Sequence, residues 1–333
     1  MTVSLCIVAL NEEEFLPQVL SDIEKQTYPH ELMEIILVDS GSNDRTKKIM
    51  KEFQKNNKTF GDVIILDNEK RRQASGWNIA IKQSTKDVIV RVDAHAKIPL
   101  KFIEKNIKNL ESGEYISGGV RSCLIIKENA WTKTLLLAEN SAFGSSINSC
   151  RRSEKKQYVK TMFHAAYRKE VFEKVGLLNE NLGRTEDNEF HYRIRKAGFK
   201  MYFDPDIVSY QYARSSLRNM IKQKYLNGYW IGVTFKICPG CLSLFYFVPF
   251  AFTIAIVFTL IATFFGMEWM FLFLFIVYIF VAVFMALCSA IKNGGNGCTI
   301  FLPVIFFLLH ISYGIGTCVG LVARRRIFAS DKL

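Results

Sequence analysis

Charge is nearly missing from the last 97 residues of this 333-residue chain, which carry five basic side chains (Lys292, Arg324, Arg325, Arg326, Lys332) and two acidic ones (Glu268, Asp331). Three uncharged runs, 238–267, 269–291 and 293–323, each exceed the ~20 apolar residues that cross a bilayer core. A buried soluble helix seldom stays uncharged so long, which excludes a purely soluble globule. Disorder is excluded too, because half of the residues are hydrophobic and disordered chains lack that apolar mass. The N-terminus has no basic stretch before its short apolar run and no small-residue cleavage site. No signal peptide is predicted, and residues 1–236 are expected to stay in the cytosol.

Other absences narrow the chemistry. The eight cysteines are scattered and form no disulfide framework. Cys238-Pro-Gly-Cys241 has no second pair to complete a zinc site, so it reads as a Pro-Gly turn. No Gly-x-Gly-x-x-Gly or Gly-x-x-x-x-Gly-Lys-Ser/Thr follows any strand, which argues against dinucleotide and Walker-type sites. The net charge of +12 would suit nucleic acid, but no stripe of basic and stacking residues accompanies it. Anionic lipid and diphosphates account for it equally, and no nucleic-acid partner is expected.

What is present in the first half is alternation. Short β-rich runs at 3–10, 35–38, 62–66 and 87–92 alternate with helical patterns at 15–23, from 45 onward with Asp44 as a plausible N-cap, and at 74–82. Near-continuous apolar strands imply a parallel sheet covered on both faces, with ligands beyond the carboxyl ends of the strands. Those ends carry Asn11 and Glu12, Asp39, Asp67 and Asn68, and Asp93 and His95. A strand-end Asp is often only a turn former, a lone His often structural, and Lys70-Arg-Arg72 on its own a solvated face. Their gathering along one edge points instead to a nucleotide diphosphate and a divalent cation. Asp39 can accept from a base or ribose, while Asp93 and His95 straddle a turn and can face Mg²⁺ or Mn²⁺. The basic run precedes a helix start that favours phosphate.

These motifs resemble glycosyltransferase family 2, whose members have the GT-A fold. The likeness is carried by residues 3–12 ending Ala-Leu-Asn11-Glu12, by Val-Asp39-Ser-Gly-Ser-Asn-Asp44, by Asn68-Glu-Lys-Arg71 through Asn78, by Arg91-Val-Asp93-Ala-His95-Ala96, and by Thr185-Glu186-Asp187. The fourth is most similar to the succinoglycan-biosynthesis type of exopolysaccharide glycosyltransferase. The resemblance implies an α/β GT-A domain, Rossmann-like with a mostly parallel sheet, over 1–215, divided into a nucleotide-binding half (1–98) and an acceptor half (99–215). It implies inverting, metal-dependent transfer from a nucleotide diphosphate sugar, usually a UDP-sugar. Val8, Leu10 and Glu12 would line the base and ribose, Asp39 would bind the base, Arg71 and Asn78 the nucleotide, and Asp93 the metal–diphosphate. The family's metal motif is commonly Asp-x-Asp; here it is Asp93-Ala-His95, and imidazole suits Mn²⁺ better than Mg²⁺. Asp187, with Glu186 beside it, would match the catalytic base, although acidic residues in a helix's first turn are also ordinary dipole partners.

Downstream, 116–120 and 122–127 read as strands, 144–156 as a basic loop with Arg151 and Arg152, and 166–175 as a helix. A helix opening at Thr185 follows, with Phe190, Ile194 and Ala197 on one face. Residues 216–237 mix lysines with aromatics, the pattern of an amphipathic helix at the cytoplasmic interface or of a helix packed on the sheet. The region 238–333 is expected to hold two to three spans, at 242–265, 269–291 and 300–322. Three crossings would leave Arg324-Arg-Arg326 outside, so Pro303, Gly314 and Gly316 make the last segment the candidate for a bend or a re-entrant turn. The Gln-x-x-Arg-Trp of processive family members is absent, which favours adding one sugar. The expected protein is a multi-pass enzyme of the cell membrane, using a nucleotide-sugar donor and a lipid-linked (polyprenyl) saccharide acceptor among membrane lipids. Transfer onto polyprenyl phosphate itself, or a non-catalytic scaffold, are the rival readings.

Overall fold

The computed structural model describes residues 1–144 and 154–323; Arg151, Arg152 and the Arg324-Arg-Arg326 cluster lie outside the described residues. These form two compact units, one of 1–122 and 154–211, the other of 123–144 and 212–323. The segment 123–144 falls in the second of these units.

Among the described residues one sheet holds β1 (Val3–Ala9), β2 (Met33–Asp39), β3 (Asp62–Asp67), β4 (Val88–Arg91), β5 (Ala96–Lys97), β6 (Ile116–Leu124), β7 (Gln157–Val159), β8 (Ala165–Arg168) and β9 (Met201–Tyr212). Their order is β3-β2-β1-β4-β8-β6-β9-β5, with β7 beside β9. β1 to β4 pair in parallel. The pairs β4–β8, β6–β8, β5–β9 and β7–β9 are antiparallel. The sheet is therefore mixed: the expected parallel order holds for its first four strands and reverses at β8.

Side-chain alternation builds the layers of this unit. Val3, Leu5, Ile7 and Ala9 of β1 face one way, with Ile35 and Leu37 of β2, onto α1 (Leu16–Glu24), α2 (Thr46–Asn56) and, past α3 (Gln73–Gln83), α4 (Phe102–Glu111). Cys6, Ile36 and Val38 face the other way, onto Trp77 and Ile81 of α3. Two further helices that follow α5 (Ala130–Asn140) complete that face: Phe172 lies on α6 (Lys169–Val175), and Phe190 and Ile194 on α7 (Glu186–Lys196). Period-two alternation is what a sheet covered on both faces requires. Residues 166–175, expected as one helix, divide into β8 and α6, because Ala165, Ala166 and Tyr167 are buried between β4 and β6. A single strand, β6, replaces the two expected there. Asp44 does serve the start of α2, its carboxylate accepting the Thr46 N–H at 2.9 Å.

In the second unit, α5 begins at a capping box formed by Asn129 and Thr132. Then come α8 (Leu217–Ile237), α9 (Val248–Thr263), α10 (Glu268–Asn293) and α11 (Leu302–Val322). Three segments, Leu244–Thr263, Glu268–Asn293 and Gly297–Val322, are long and apolar enough to cross a membrane. Cys238 and Cys241 are free thiols at a tight turn. The last segment holds no break. Pro303 sits in the first turn of α11, where a missing N–H costs nothing, and Gly314 lies against Pro249 and Thr253. α8 packs its backbone on that of α11: Gly228 faces Tyr313, Gly232 faces Thr317, and Gly316 and Gly320 face Tyr225 and Tyr229. These contacts advance together, so the two helices run in the same direction with small residues at their seam.

Candidate active site

The carboxyl ends of the parallel strands place the first group of residues. Asp39 ends β2 opposite Ala9 and Asp67. Only 2% of it is exposed, and its carboxylate accepts the Ser42 N–H at 3.2 Å. Asn11, at φ 55°, donates its N–H to Ser42 Oγ and accepts the Asn43 N–H on its side chain, so the loops after β1 and β2 are laced together. Arg71 folds over the same turn and donates to the Gly41 carbonyl at 2.7 Å. Gly41 has φ +76°, and a Cβ there would lie 3.2 Å from Arg71 Nε. Val8 and Leu10 remain partly exposed, Val8 pressing on Gly76 of α3. Asp39 and Arg71, predicted to act together, are thus brought together.

Not every predicted residue is free to meet a ligand. The Asn78 amide donates to the Leu178 carbonyl and Glu180 Oε1 and accepts the Leu178 N–H, all within 3.0 Å. It braces the loop before α7 with both amide hydrogens and one lone pair, which leaves one lone pair of Oδ1 for a ligand. Glu180 also takes Lys70, at 2.5 Å, and its backbone takes Arg72. Of the basic run, Arg71 alone stays at the Asp39 turn.

The second group surrounds Asp93. Its side chain is 23% exposed and meets His164 Nε2 at 3.1 Å, while His164 Nδ1 meets Ser209 Oγ at 2.9 Å. Burial opposes ionisation of Asp93, but the hydrogen bond and charge of His164, with His95 and Arg121 beyond, hold its carboxyl well below the usual carboxylate range. His95 lies 3.0 Å from Glu12 Oε1 through Nδ1 and 2.8 Å from Gln211 Nε2 through Nε2. An amide nitrogen only donates, so Nε2 accepts and the ring proton sits on Nδ1, facing Glu12. A cation seeking His95 would have to displace Gln211, and Glu12 is engaged with His95 at the edge where it was expected to line the ribose. No group of three or more His, Cys, Asp or Glu able to hold a metal occurs among the described residues. The residue here that would hold a divalent ion is Asp93, an ionised carboxylate with an oxygen donor set suited to a hard cation.

The third group is the one with the fewest local signs. Arg91 ends β4, nearly buried, with its guanidinium 4.5 Å over the Trp77 ring. Its Nη2 meets Asp187 Oδ1 at 3.0 Å. Burial works against the charge of Arg91, and Asp187, Tyr167 and Asp93 outweigh it. The neighbours Glu186 and Asp187 are split by the turn of α7. Asp187 is 31% exposed, whereas Glu186 is buried, with one carboxyl oxygen unpartnered. Burial and then the charge of Asp187 push Glu186 up to about 8. At neutral pH burial therefore keeps Glu186 a neutral acid, while its neighbour Asp187 opens to solvent. His191, one turn beyond Asp187, is pushed down to about 4 by burial, and its Nε2 lies 3.2 Å from the Tyr167 hydroxyl.

A continuous path of contacts joins the three groups. It runs from Asp39 through Ser42 and Asn11 to Glu12 and His95, then along the chain past Asp93 to Arg91 and across to Asp187. His164 and Gln211 were not anticipated, since nothing local marks them. Arg91 left a readable sign: a charge inside the apolar run Val88-Ile-Val-Arg-Val92 needs a buried partner.

The profile of glycosyl transferase family 2 matches residues 4–176. The chain belongs to that family. Over 98% of its length it is 27% identical to the dolichyl N-acetyl-alpha-D-glucosaminyl phosphate 3-beta-D-2,3-diacetamido-2,3-dideoxy-beta-D-glucuronosyltransferase of Methanococcus voltae, covering 99% of that protein. It is 25% identical to the succinoglycan biosynthesis protein ExoA of Rhizobium meliloti, over 65% of each chain. Its fold matches the mannosyltransferase PcManGT of Pyrobaculum calidifontis, solved with GDP-Man and Mn2+, at a TM-score of 0.59 and 17% identity, covering 96% of this chain and 86% of that one. The glycosyltransferase has the GT-A-like architecture the motifs implied, with a mixed sheet followed by apolar helices.

Proposed function

We propose that this glycosyltransferase moves one sugar, with inversion, from a nucleotide diphosphate sugar, a UDP-sugar first among them, to a lipid-linked saccharide acceptor. The observation that carries the reading is the Arg91–Asp187 pair, which ties the base candidate to the end of β4, two residues before Asp93. Asp39 accepts hydrogen bonds from the nucleoside, and Arg71 faces the anionic donor across the Gly41 turn. A divalent cation held at Asp93 would supply neutralisation of the charge that gathers on the departing diphosphate. Asp187 takes the proton from the acceptor hydroxyl as its oxygen attacks the anomeric carbon from the side opposite the leaving group. One carboxylate suffices for a direct displacement. Glu186, neutral behind it, offers no second base.

The acceptor class is supported by the Methanococcus voltae relative, whose name places a beta-linked sugar on a dolichyl-phosphate-linked one. The three apolar segments support a multi-pass protein whose catalytic unit lies in the cytosol, where nucleotide sugars are made. A direct test presents the purified chain, in nanodiscs, with labelled nucleotide sugars, Mn²⁺ and lipid-linked saccharides. One labelled sugar added per lipid-linked acceptor is the expected product. Label appearing only on polyprenyl monophosphate, or only as free sugar, defeats the acceptor assignment.

A further inference from the structure

α8 concentrates positive charge where a helix begins. Ser216 caps it, accepting the Asn219 N–H at 3.3 Å, and the first turn contains no acidic residue. Arg218 and Lys222 follow one turn apart, on one face and exposed, and neither has an ion pair or hydrogen bond with a described side chain. A helix N-terminus is itself the positive end of the backbone dipole and ordinarily attracts acidic side chains. Lys224, on the same helix, is buried and paired with Glu139 at 3.3 Å. The fold thus neutralises the lysine that it buries and leaves the exposed pair uncompensated.

That pair lines an open groove of about 600 Å³. Arg218, Lys222 and Tyr225 form one wall, and Ser312 and Ile315 form the other. The second wall is part of α11, within a segment apolar and long enough to span a membrane. Charge and hydroxyl groups therefore stand beside hydrocarbon surface. A soluble anion uses the first alone, whereas an amphiphile with a phosphate head uses both. Two adjacent cations at a helix start match the multiple charges of a diphosphate better than the single charge of an ordinary phospholipid head.

We propose that this groove binds the diphosphate headgroup of the lipid-linked acceptor. Arg218 and Lys222 pair with the phosphate oxygens, and Tyr225 and Ile315 lie along the first carbons of the lipid. The identity of the lipid rests on the acceptor reading above; the affinity for a phosphate head rests on the groove alone.

The test titrates the full-length chain, in phosphatidylcholine nanodiscs, with a polyprenyl diphosphate. The dissociation constant is expected to rise about tenfold or more in the Arg218→Gln/Lys222→Gln variant, and further in Arg218→Glu/Lys222→Glu. Nucleotide binding and thermal unfolding should stay as in the unmodified chain, whose own lipid binding should weaken as salt rises. Unchanged binding in both variants overturns the proposal. Equal competition by phosphatidylglycerol at matched mole fraction also overturns it, by making the groove a general sensor of membrane charge. Equal competition by inorganic pyrophosphate overturns it too, by removing the lipid from recognition. A chain that binds the polyprenyl diphosphate through these cations, yet passes no sugar to its saccharide-bearing form, supports the groove and defeats only the acceptor reading.

Discussion

Arg91 meets Asp187 at 3.0 Å across 96 positions of sequence, with its guanidinium stacked on Trp77. The contact gives the carboxylate one fixed direction and keeps its other oxygen for a ligand. Replacing Arg91 by Met should lower kcat by about 100-fold while leaving the donor KM within about threefold, because orientation rather than binding is lost. Lys at this position keeps the charge but not the planar fork, and should recover part of the rate. The stability cost of Arg91→Met should be about 2 kcal/mol, below the ~3–5 kcal/mol of a fully buried pair, because Asp187 is 31% exposed. Steady-state kinetics with thermal unfolding checks all three.

Asp187 and Glu186 are neighbours with opposite expectations. Asp187→Asn should reduce transfer by about 10³-fold or more with nucleotide binding intact, whereas Glu186→Gln, replacing a neutral acid by a neutral amide, should cost less than about tenfold. Equal losses in the two variants would show that the base is wrongly assigned.

Glu186 also makes stability depend on pH. Its folded value of about 8 stands above the ordinary 4.5, so between those values the folded chain holds a proton that the unfolded chain has released. Stability from this group is complete below pH 4.5 and declines as pH rises toward 8, by at most about 1.4 kcal/mol per pH unit. Glu186→Gln should flatten that decline in a series of thermal unfolding curves and unfold at a higher temperature than the unmodified chain at pH 8.

How much of this could be read from the sequence varies with how local the cause is. The parallel strands and their acidic ends are local patterns, and so are the uncharged runs of α9, α10 and α11; all were legible. β9 was not, because Asp204-Pro-Asp206 in its middle looks like a turn, yet the strand passes through it. It brings Gln211 to His95 and Ser209 to His164, and neither partner lies near its mate in sequence. Asn78 shows the converse, a motif position whose partners are distant in sequence. Its position in a family motif suggested a ligand contact, while its buried amide holds the 178–180 loop. Mixed lysines and aromatics in α8 suggested a helix at a lipid interface, and its Gly228-x-x-x-Gly232 spacing acquires meaning only beside Gly316 and Gly320.

His95 and Asp93 should separate in a metal titration. Asp93→Asn removes the only ionised carboxylate of that turn and should raise the Mn²⁺ concentration for half-maximal transfer by about tenfold or more. His95→Gln disturbs Glu12 and Gln211 instead, and should lower the rate while leaving that concentration within about twofold. A large shift in the His95 variant would make the imidazole a ligand after all.

The α8–α11 seam yields the last expectation. Tyr229 lies with its backbone against Gly320, and Tyr225 against Gly316, so no side chain fits at either glycine without parting the helices. Alanine at Gly320 adds a single methyl group, and leucine adds a branch that no rotamer can place between two backbones. Small residues at such a seam are what allow van der Waals contact along both helices, the main source of attraction where lipid already solvates apolar surface. Gly320→Ala should therefore cost about 1–3 kcal/mol, the usual range for overpacking, and Gly320→Leu should detach α8 outright. A leucine at Val319, one position away and 40% exposed, is the control and should be silent. Limited proteolysis within α8, compared between the two leucine variants in the same detergent, reads the difference. Equal resistance in both would mean that the seam adds nothing to the hold of α11 on α8.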